Sequence, residues 1–415
     1  MKRENKRDVV FLCQYFYPEY VSSATLPYDT AKYLSENGYT VGALCGYPGE
    51  YCDNANVPVG EIVNGIHIRR VKYLRLGRRN KVGRCVNFLS FVIAVICHIG
   101  FLKDYKIIMV YSNPPVLPVI AMLAKKLFGC KLVFVSYDVY PEIAIRSGVM
   151  SENGIFTKLF NLYNARLFCA ADAVVAVCED MKDYLQKHRN VKERKVVSIP
   201  NWYKDDKSQN RILRSAARLF SDYSEDDFIV SYLGNLGTCQ DADTIIEAIK
   251  LLKNDGGVQF IFAGHGNKIP RIKELKEKEL ISNLNVFEFL HGKDFSDVLK
   301  ISDCYIVSLI DGLYGLCAPS KTYSYFMAGR PVICVMDERT EIAQDVVRNE
   351  AGVVVKNGDS KALAEYIKLL KNDKDMASLM SKNSRKIFLN KYEKEKCLKQ
   401  YHSLIAQLLS VQKAA

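Results

Sequence analysis

The 415-residue chain has 13 cysteines but no Cys-x-x-Cys pair. Its six histidines lie away from cysteines and carboxylates at ligand spacing, so no zinc site is expected. Most cysteines sit in apolar runs (Cys97, Cys130, Cys169, Cys178, Cys304), as small buried hydrophobes do in a reducing compartment. The charged start, Met1 to Asp8, has no apolar core or small-residue cleavage site behind it and does not read as a secretory signal. No glycine fingerprint follows the first apolar run. Cys13-Gln14-Tyr15 stands where a dehydrogenase needs Gly-x-Gly-x-x-Gly. Gly315 to Thr322 comes within one residue of a nucleotide-triphosphate loop, but Ser320 replaces the second glycine that close backbone approach requires.

Acidic residues are missing from one long stretch. Between Arg69 and Lys103 there are nine basic residues and no acid. Residues 1–202 hold 27 Lys and Arg against 17 Asp and Glu, whereas residues 203–415 hold 31 against 29. Charge this uneven points to an anionic partner, either a membrane or a nucleic acid. A nucleic-acid surface would interleave aromatics with its cations. Tyr73 is the only aromatic between Arg69 and Arg84, so no nucleic-acid partner is expected. The apolar segment Val86 to Leu102 is at the bottom of the spanning range. It reads as a buried helix, as a helix half-sunk in the bilayer interface beside Arg78, Arg79, Lys81 and Arg84, or as a true span.

What is present is ordinary globular composition, 49% hydrophobic and 25% charged, in a chain long enough for two domains. Short apolar runs alternate with helical spacing. Val9–Cys13, Thr40–Leu44, Ile107–Tyr111, Leu132–Ser136, Ala173–Val177 and Val196–Ile199 read as a first set of strands. After Pro200-Asn201 a polar lead-in begins. A second set follows: Ile229–Leu233, Gln259–Ala263, Val286–Phe289, Cys304–Leu309, Pro331–Val335 and Gly352–Val354. Alternation of this kind predicts an α/β protein of two Rossmann-like, doubly wound parallel-sheet domains. Ser384 to Leu409 has the spacing of one long amphipathic helix.

The segment Leu313 to Val335 is the most specific. A strand runs into a loop ending Pro319-Ser320-Lys321, and a helix then starts and stops at Gly329. The first turn of a helix leaves N–H groups unpaired and carries partial positive charge, so it binds phosphate. A lysine at that end is unfavourable unless an anion is bound there. Gly264 and Gly266 make a tight turn after a strand, and Asp138 follows a strand where its carboxylate could hydrogen-bond or deprotonate an acceptor hydroxyl.

These segments together resemble the family 4 glycosyltransferases of GT-B fold, and among them the WbuB-like branch. The similarity rests on Gln14-Tyr15-Phe16-Tyr17-Pro18-Glu19 with Ser22-Ser23-Ala24, on Ser112-Asn113-Pro114-Pro115, and on Tyr137-Asp138-Val139-Tyr140-Pro141-Glu142. It continues through Ile199-Pro200-Asn201-Trp202, Tyr232-Leu233-Gly234-Asn235-Leu236-Gly237, Phe262-Ala263-Gly264-His265-Gly266 and the Lys321 loop.

The resemblance implies an acceptor-binding domain over 1–200, a nucleotide-sugar-binding domain over 201–383, and a tail, 384–415, returning to the first. The two domains are expected to face across a cleft and close about Asn201. A sugar, in the WbuB-like branch an amino or deoxy sugar, would pass from a nucleoside-diphosphate donor, in most relatives a UDP-sugar. The acceptor would be a polyprenyl-diphosphate-linked glycan in capsule, O-antigen or exopolysaccharide synthesis. Transfer would retain configuration and need no metal or other cofactor. The enzyme would be cytoplasmic and peripheral to the inner face of the plasma membrane. Asp138 and Lys321 would be catalytic. Asn235, Gly237, Gly264, Leu316, Cys317, Ser320, Lys321 and Ser324 would bind the donor, and Gln14, Ser22, Ser23 and Asp138 would meet the acceptor or its phosphate. The chain departs from the family where Leu316 and Ser324 replace two glutamates, leaving backbone N–H groups near Leu316 and Cys317 for the sugar. A non-catalytic partner subunit or nucleotide-sugar sensor of the same fold is the alternative.

Overall fold

Runs in which nearly every residue is apolar make strands covered on both faces, the mark of a parallel sheet. The computed structural model describes residues 6–49, 51–52, 56–76, 81–207 and 211–410. The chain divides into two compact units. One comprises Met1–Glu142, Met150–Pro200 and Glu395–Ala415, and the other Ile143–Val149 and Asn201–Lys394.

In the first unit the described residues form an eight-stranded sheet. Its strands are β1 (Arg7–Cys13), β2 (Val41–Gly46), β3 (Gly60–Val63), β4 (Ile66–Val71), β5 (Tyr105–Tyr111), β6 (Lys131–Ser136), β7 (Ala173–Ala176) and β8 (Val196–Ser198). They lie in the order β3-β4-β2-β1-β5-β6-β7-β8, all parallel except the β3–β4 pair. Between the strands come helices α1 (Ser22–Glu36), α2 (Lys81–Cys97), α3 (Pro118–Phe128), α4 (Glu142–Arg146), α5 (Ile155–Ala170) and α6 (Glu179–Arg189). Of these, α4 belongs to the second unit from Ile143 onward. Strand order reverses between β1 and β5. Ligands of doubly wound sheets bind outside the carboxyl ends of strands at such a reversal. Gln14 and Ser112 are the first residues beyond those two ends.

The β3–β4 hairpin has no counterpart among the strands expected from the sequence. Asn64 and Gly65 turn it, with φ of 50° and 77°, the left-handed pair of a tight hairpin. Its strand β4 contains Arg70, which counted toward the basic stretch. That residue is 1% exposed, pairs with Glu61 at 2.5 Å and donates to Pro58 O and Tyr17 O. Arg70 therefore belongs to the interior of this unit and offers no charge to a partner.

The second unit carries a wholly parallel six-stranded sheet in the order β11-β10-β9-β12-β13-β14. These strands are β9 (Phe228–Leu233), β10 (Val258–Ala263), β11 (Leu284–Phe287), β12 (Cys304–Ser308), β13 (Val332–Val335) and β14 (Gly352–Val355). Its helices are α7 (Asp243–Leu251), α8 (Ile269–Lys278), α9 (Gly292–Ile301), α10 (Lys321–Ala328), α11 (Glu341–Arg348), α12 (Ser360–Asn372) and α13 (Lys374–Ile387). Val230 and Phe260 of the sheet, Ile245 and Ile249 of α7, and Leu363 and Ile367 of α12 share one core. Here the order reverses between β9 and β12.

The C-terminal segment is not one helix. After α13 comes a π-turn, Phe388–Tyr392, and then α14 (Lys394–Ser410). Tyr392 causes the break: it is 1% exposed, stacks on Phe326 at 5.7 Å and packs against Tyr323 at 4.9 Å. Residues from Glu395 onward belong to the first unit. There Lys131 Nζ donates to Leu408 O at 2.5 Å and His402 meets Tyr33 and Tyr39 edge-on.

Among the described residues no helix is long and apolar enough to cross a membrane. Val86 to Leu102 is divided between α2 and a 3-10 turn, Ile99–Asp104. Helix α2 buries Asn87, Phe91 and Val95 and exposes Leu89, Ile93 and Ile96. Arg78 and Arg79 lie outside the described residues, as do the side chains of Lys81 and Arg84.

Candidate active site

Two loops at the carboxyl edge of the second sheet are joined along their backbones. Gly234 N donates to Ala263 O at 2.7 Å, Leu236 N to His265 O at 2.8 Å and Lys268 N to Leu236 O at 3.1 Å. Glycine makes this approach possible. A Cβ on Gly264 (φ 149°) would lie 2.1 Å from Gly234 O, and one on Gly266 (φ 131°) 2.3 Å from Leu236 O. Both conformations also lie where an L side chain is strained.

Helix α10 is docked onto the end of β9. The Tyr325 hydroxyl accepts from Leu233 N at 2.8 Å and donates to Leu233 O at 3.1 Å, and its ring stacks on Tyr305 with centroids 4.2 Å apart. One turn earlier, Lys321 is the first residue of α10. Its Nζ donates to the Tyr232 hydroxyl at 2.8 Å and to Asn235 O at 3.1 Å, and it lies 4.5 Å from the centre of the Tyr232 ring. Tyr232 Oη in turn donates to Asn235 O at 3.1 Å. Enclosure pulls the lysine down to about 7. Among the described residues no carboxylate reaches its Nζ. An ammonium group with only neutral acceptors is charge-deficient, and a phosphate beside it would restore full protonation. Nearby His265 is lowered as well, by burial and by Lys321.

The predicted donor residues do not all converge. Ser320 is exposed and its side chain caps nothing in α10, and Asn235 is exposed beside Lys321. The Gly237 N–H is engaged by Gln240 Oε1 at 2.8 Å, so a ligand there would displace that amide. Leu316 turns into the core at 2% exposure, and its N–H donates to Leu313 O at 3.0 Å, which removes the donor expected at that position. Cys317 is 9% exposed. Ser324 is 4% exposed and donates to Lys321 O at 2.8 Å, closing a local helical contact. Its position on the buried side of α10 explains this.

In the first unit, Asp138 follows β6. Ser112 Oγ accepts from the Tyr137 and Asp138 N–H groups at 3.0 and 3.3 Å, and Ser136 Oγ donates to Asp138 O at 3.2 Å. This holds the backbone and leaves the carboxylate unpaired among the described residues. Burial raises the carboxyl to about 6. It borders a pocket with room for about one water, lined also by Pro115, Tyr140, Tyr163 and Asn164. Glu142, by contrast, pairs with Arg189 at 2.5 Å and accepts from Tyr184 at 3.2 Å.

Gln14 is 1% exposed, and both polar atoms of its carboxamide lack a hydrogen-bond partner among the described residues. Burying such an amide unpaired is costly, and a ligand or water would relieve it. Ser22 is exposed and Ser23 half-buried at the start of α1, whose first turn has no acid. Tyr232 and Gln240 received no role from the sequence. The signal for Tyr232 was its place at the end of a strand, three residues before Asn235.

Two family models cover most of the chain. The one described as glycosyltransferase family 4 matches residues 23–207, and the one described as glycosyl transferases group 1 matches residues 214–387. The chain is 26% identical over 302 residues to the probable glycosyltransferase WbjE of Pseudomonas aeruginosa, covering 73% of this chain and 74% of that one. It is 24% identical over 249 residues to the capsular polysaccharide biosynthesis glycosyltransferase CapM of Staphylococcus aureus, covering 57% and 63%. The fold is similar to that of HepE of Anabaena solved with UDP and glucose, with a TM-score of 0.72 at 15% identity over 97% of this chain and 100% of that one.

Proposed function

Because the chain belongs to the family 4 glycosyltransferases of GT-B fold, we propose that it moves a sugar from a nucleoside diphosphate to a polyprenyl-diphosphate-linked glycan during synthesis of a surface polysaccharide. The observation that carries this reading is the Lys321 amine at the start of α10, in contact with Tyr232 and Asn235 and with no carboxylate partner among the described residues. A leaving diphosphate develops negative charge as the sugar departs. Fixed donors at that position lower the barrier without reorganising. Lys321, Ser320 and the first-turn N–H groups take that role, which makes transfer independent of a metal. The joined loops at Gly264 and Gly266 support the nucleoside end.

UDP is the donor nucleotide this reading favours, because HepE was solved with UDP and glucose. An amino or deoxy sugar, retention of configuration and a lipid-linked acceptor come from the family resemblance. CapM, named for capsular polysaccharide synthesis, supports the pathway class. On the acceptor side Asp138 is the base or hydrogen-bond acceptor. A carboxyl near 6 is ionised at neutral pH yet basic enough to take a proton. Gln14, Ser22 and Ser23 meet the acceptor or its phosphate. On this reading the enzyme works in the cytoplasm at the inner face of the plasma membrane, attracted by Arg78, Arg79, Lys81 and Arg84.

Leu316 and Ser324 both face inward, which favours a second reading, a non-catalytic nucleotide-sugar sensor. Turnover separates the two. With a lipid-linked acceptor and UDP-sugars, wild type should transfer sugar and Lys321→Ala should be slower by at least about tenfold, about 1.4 kcal/mol of barrier. Equal rates in the two proteins would remove Lys321 from the site.

A further inference from the structure

A helix lying on a sheet ordinarily turns polar residues to solvent. Helix α6 does so, with Glu179, Lys187 and His188 exposed. Three other helices of the first unit also turn a stripe of apolar residues outward. Helix α2 exposes Leu89, Ile93 and Ile96, at i, i+4 and i+7. Helix α3 exposes Val119, Leu123 and Leu127, again on one stripe. Helix α5 exposes Leu159 and Leu162, with Ile155 and Phe156 each 70% exposed. Helix α3 packs against both α2 and α5, so the helices that carry the three stripes adjoin. An apolar surface this continuous marks an interaction site rather than ordinary scatter.

Its charge identifies the partner. No Asp or Glu occurs in α2, α3 or α5. Lys125 is engaged by Asp172 and Ala170 O, but Lys126, Lys158 and Arg166 are exposed. Aliphatic and aromatic side chains bordered by cations are the composition of helices that lie in the headgroup layer of an anionic bilayer. A second copy of the chain would bring these acid-free helices against one another, cation to cation. We infer that α2, α3 and α5 together form a monotopic face that inserts its apolar stripes into an anionic membrane. This rests on the membrane part of the proposed function and deepens it. Attraction by the basic stretch is joined by insertion of the apolar stripes of all three helices.

Insertion and simple electrostatic attraction respond differently to salt. In about 0.5 M NaCl the Debye length is about 4 Å and surface attraction is largely screened. The test is sedimentation of the full chain with vesicles of phosphatidylcholine alone or with phosphatidylglycerol added. Wild type should pellet with the phosphatidylglycerol vesicles and remain substantially bound in high salt. The combined change Ile155→Ser, Phe156→Ser and Leu159→Ser, and separately Leu123→Ser with Leu127→Ser, should each reduce binding at least tenfold. Leu379→Ser, exposed on α13, should change nothing.

Wild type left in the supernatant, or variants that pellet like wild type, would overturn the inference. So would complete release by salt. If the variants instead abolished self-association seen by light scattering, the face would be an interface between copies and the inference would fall. Nucleotide-dependent melting keeps the two proposals apart. Lost vesicle binding with an intact nucleotide shift supports this face and leaves the transferase reading standing. Vesicle binding without any nucleotide shift supports this face and removes that reading.

Discussion

Asp138→Asn should make the protein more stable and less active. The carboxyl is raised from its ordinary 3.8 to about 6 by burial, with no partner for the charge among the described residues. At about 1.4 kcal/mol for each pH unit of that rise, ionisation at neutral pH costs the fold at most about 3 kcal/mol. The side chain is not fully sealed, so a gain of about 1–2 kcal/mol is expected. The sign follows from linkage. A folded-state value above the unfolded one penalises the ionised form, so the penalty is full above about pH 6 and vanishes below about pH 4. Asparagine removes it without a change of shape. Denaturant midpoints of the two proteins should therefore differ most at pH 7.5 and converge toward pH 4. Transfer to the acceptor should fall by about 100-fold or more, as it does when a general base is lost, with nucleotide affinity unchanged. A stability difference that is independent of pH, or a less stable Asn variant at pH 7.5, would refute the burial argument.

Two further outcomes concern the donor side. Lys321 stands at about 7 when the site is empty. Binding a diphosphate at pH 8 should therefore take up nearly one proton, falling to about half a proton at pH 7 and little at pH 6. Calorimetry in buffers of different ionisation enthalpy measures this, and Lys321→Met should abolish it. Gly266→Ala should cost about 1–3 kcal/mol of stability and weaken nucleotide binding, since its Cβ would meet Leu236 O and Asn235 Oδ1 in a strained conformation. Gly256→Ala, with open space around it, is the control, and equal melting of the two proteins would refute the close approach.

The strands with unbroken apolar runs were legible because burial on both faces leaves no place for a polar residue. The glycine turns and the start of α10 at Lys321 were legible because glycine and proline punctuate the sequence between apolar runs. The β3–β4 hairpin was hidden because β4, one strand in from the sheet edge, alternates Ile, His, Ile and Arg, and a buried arginine reads as a solvated one. The break at Phe388–Tyr392 was hidden because periodicity continues across it, while tertiary packing of Tyr392 on Tyr323 and Phe326 decides the backbone. Side-chain direction was the least legible feature. Ser324, Leu316 and the Gly237 N–H were assigned by position in a motif, but each is turned inward or engaged by neighbours, which only packing determines.

Whether Lys321 marks a nucleoside-diphosphate site is tested most directly by the melting temperature with UDP, GDP, dTDP and ADP, for wild type and Lys321→Ala. Ligand at a hundred times its dissociation constant adds about 2.7 kcal/mol, a shift of about 5–10 °C for a domain of this size. Such a shift is expected with UDP in wild type and should be lost in the variant. A wild type that melts identically with and without every nucleotide, or a variant that keeps the full shift, would contradict a phosphate site at Lys321.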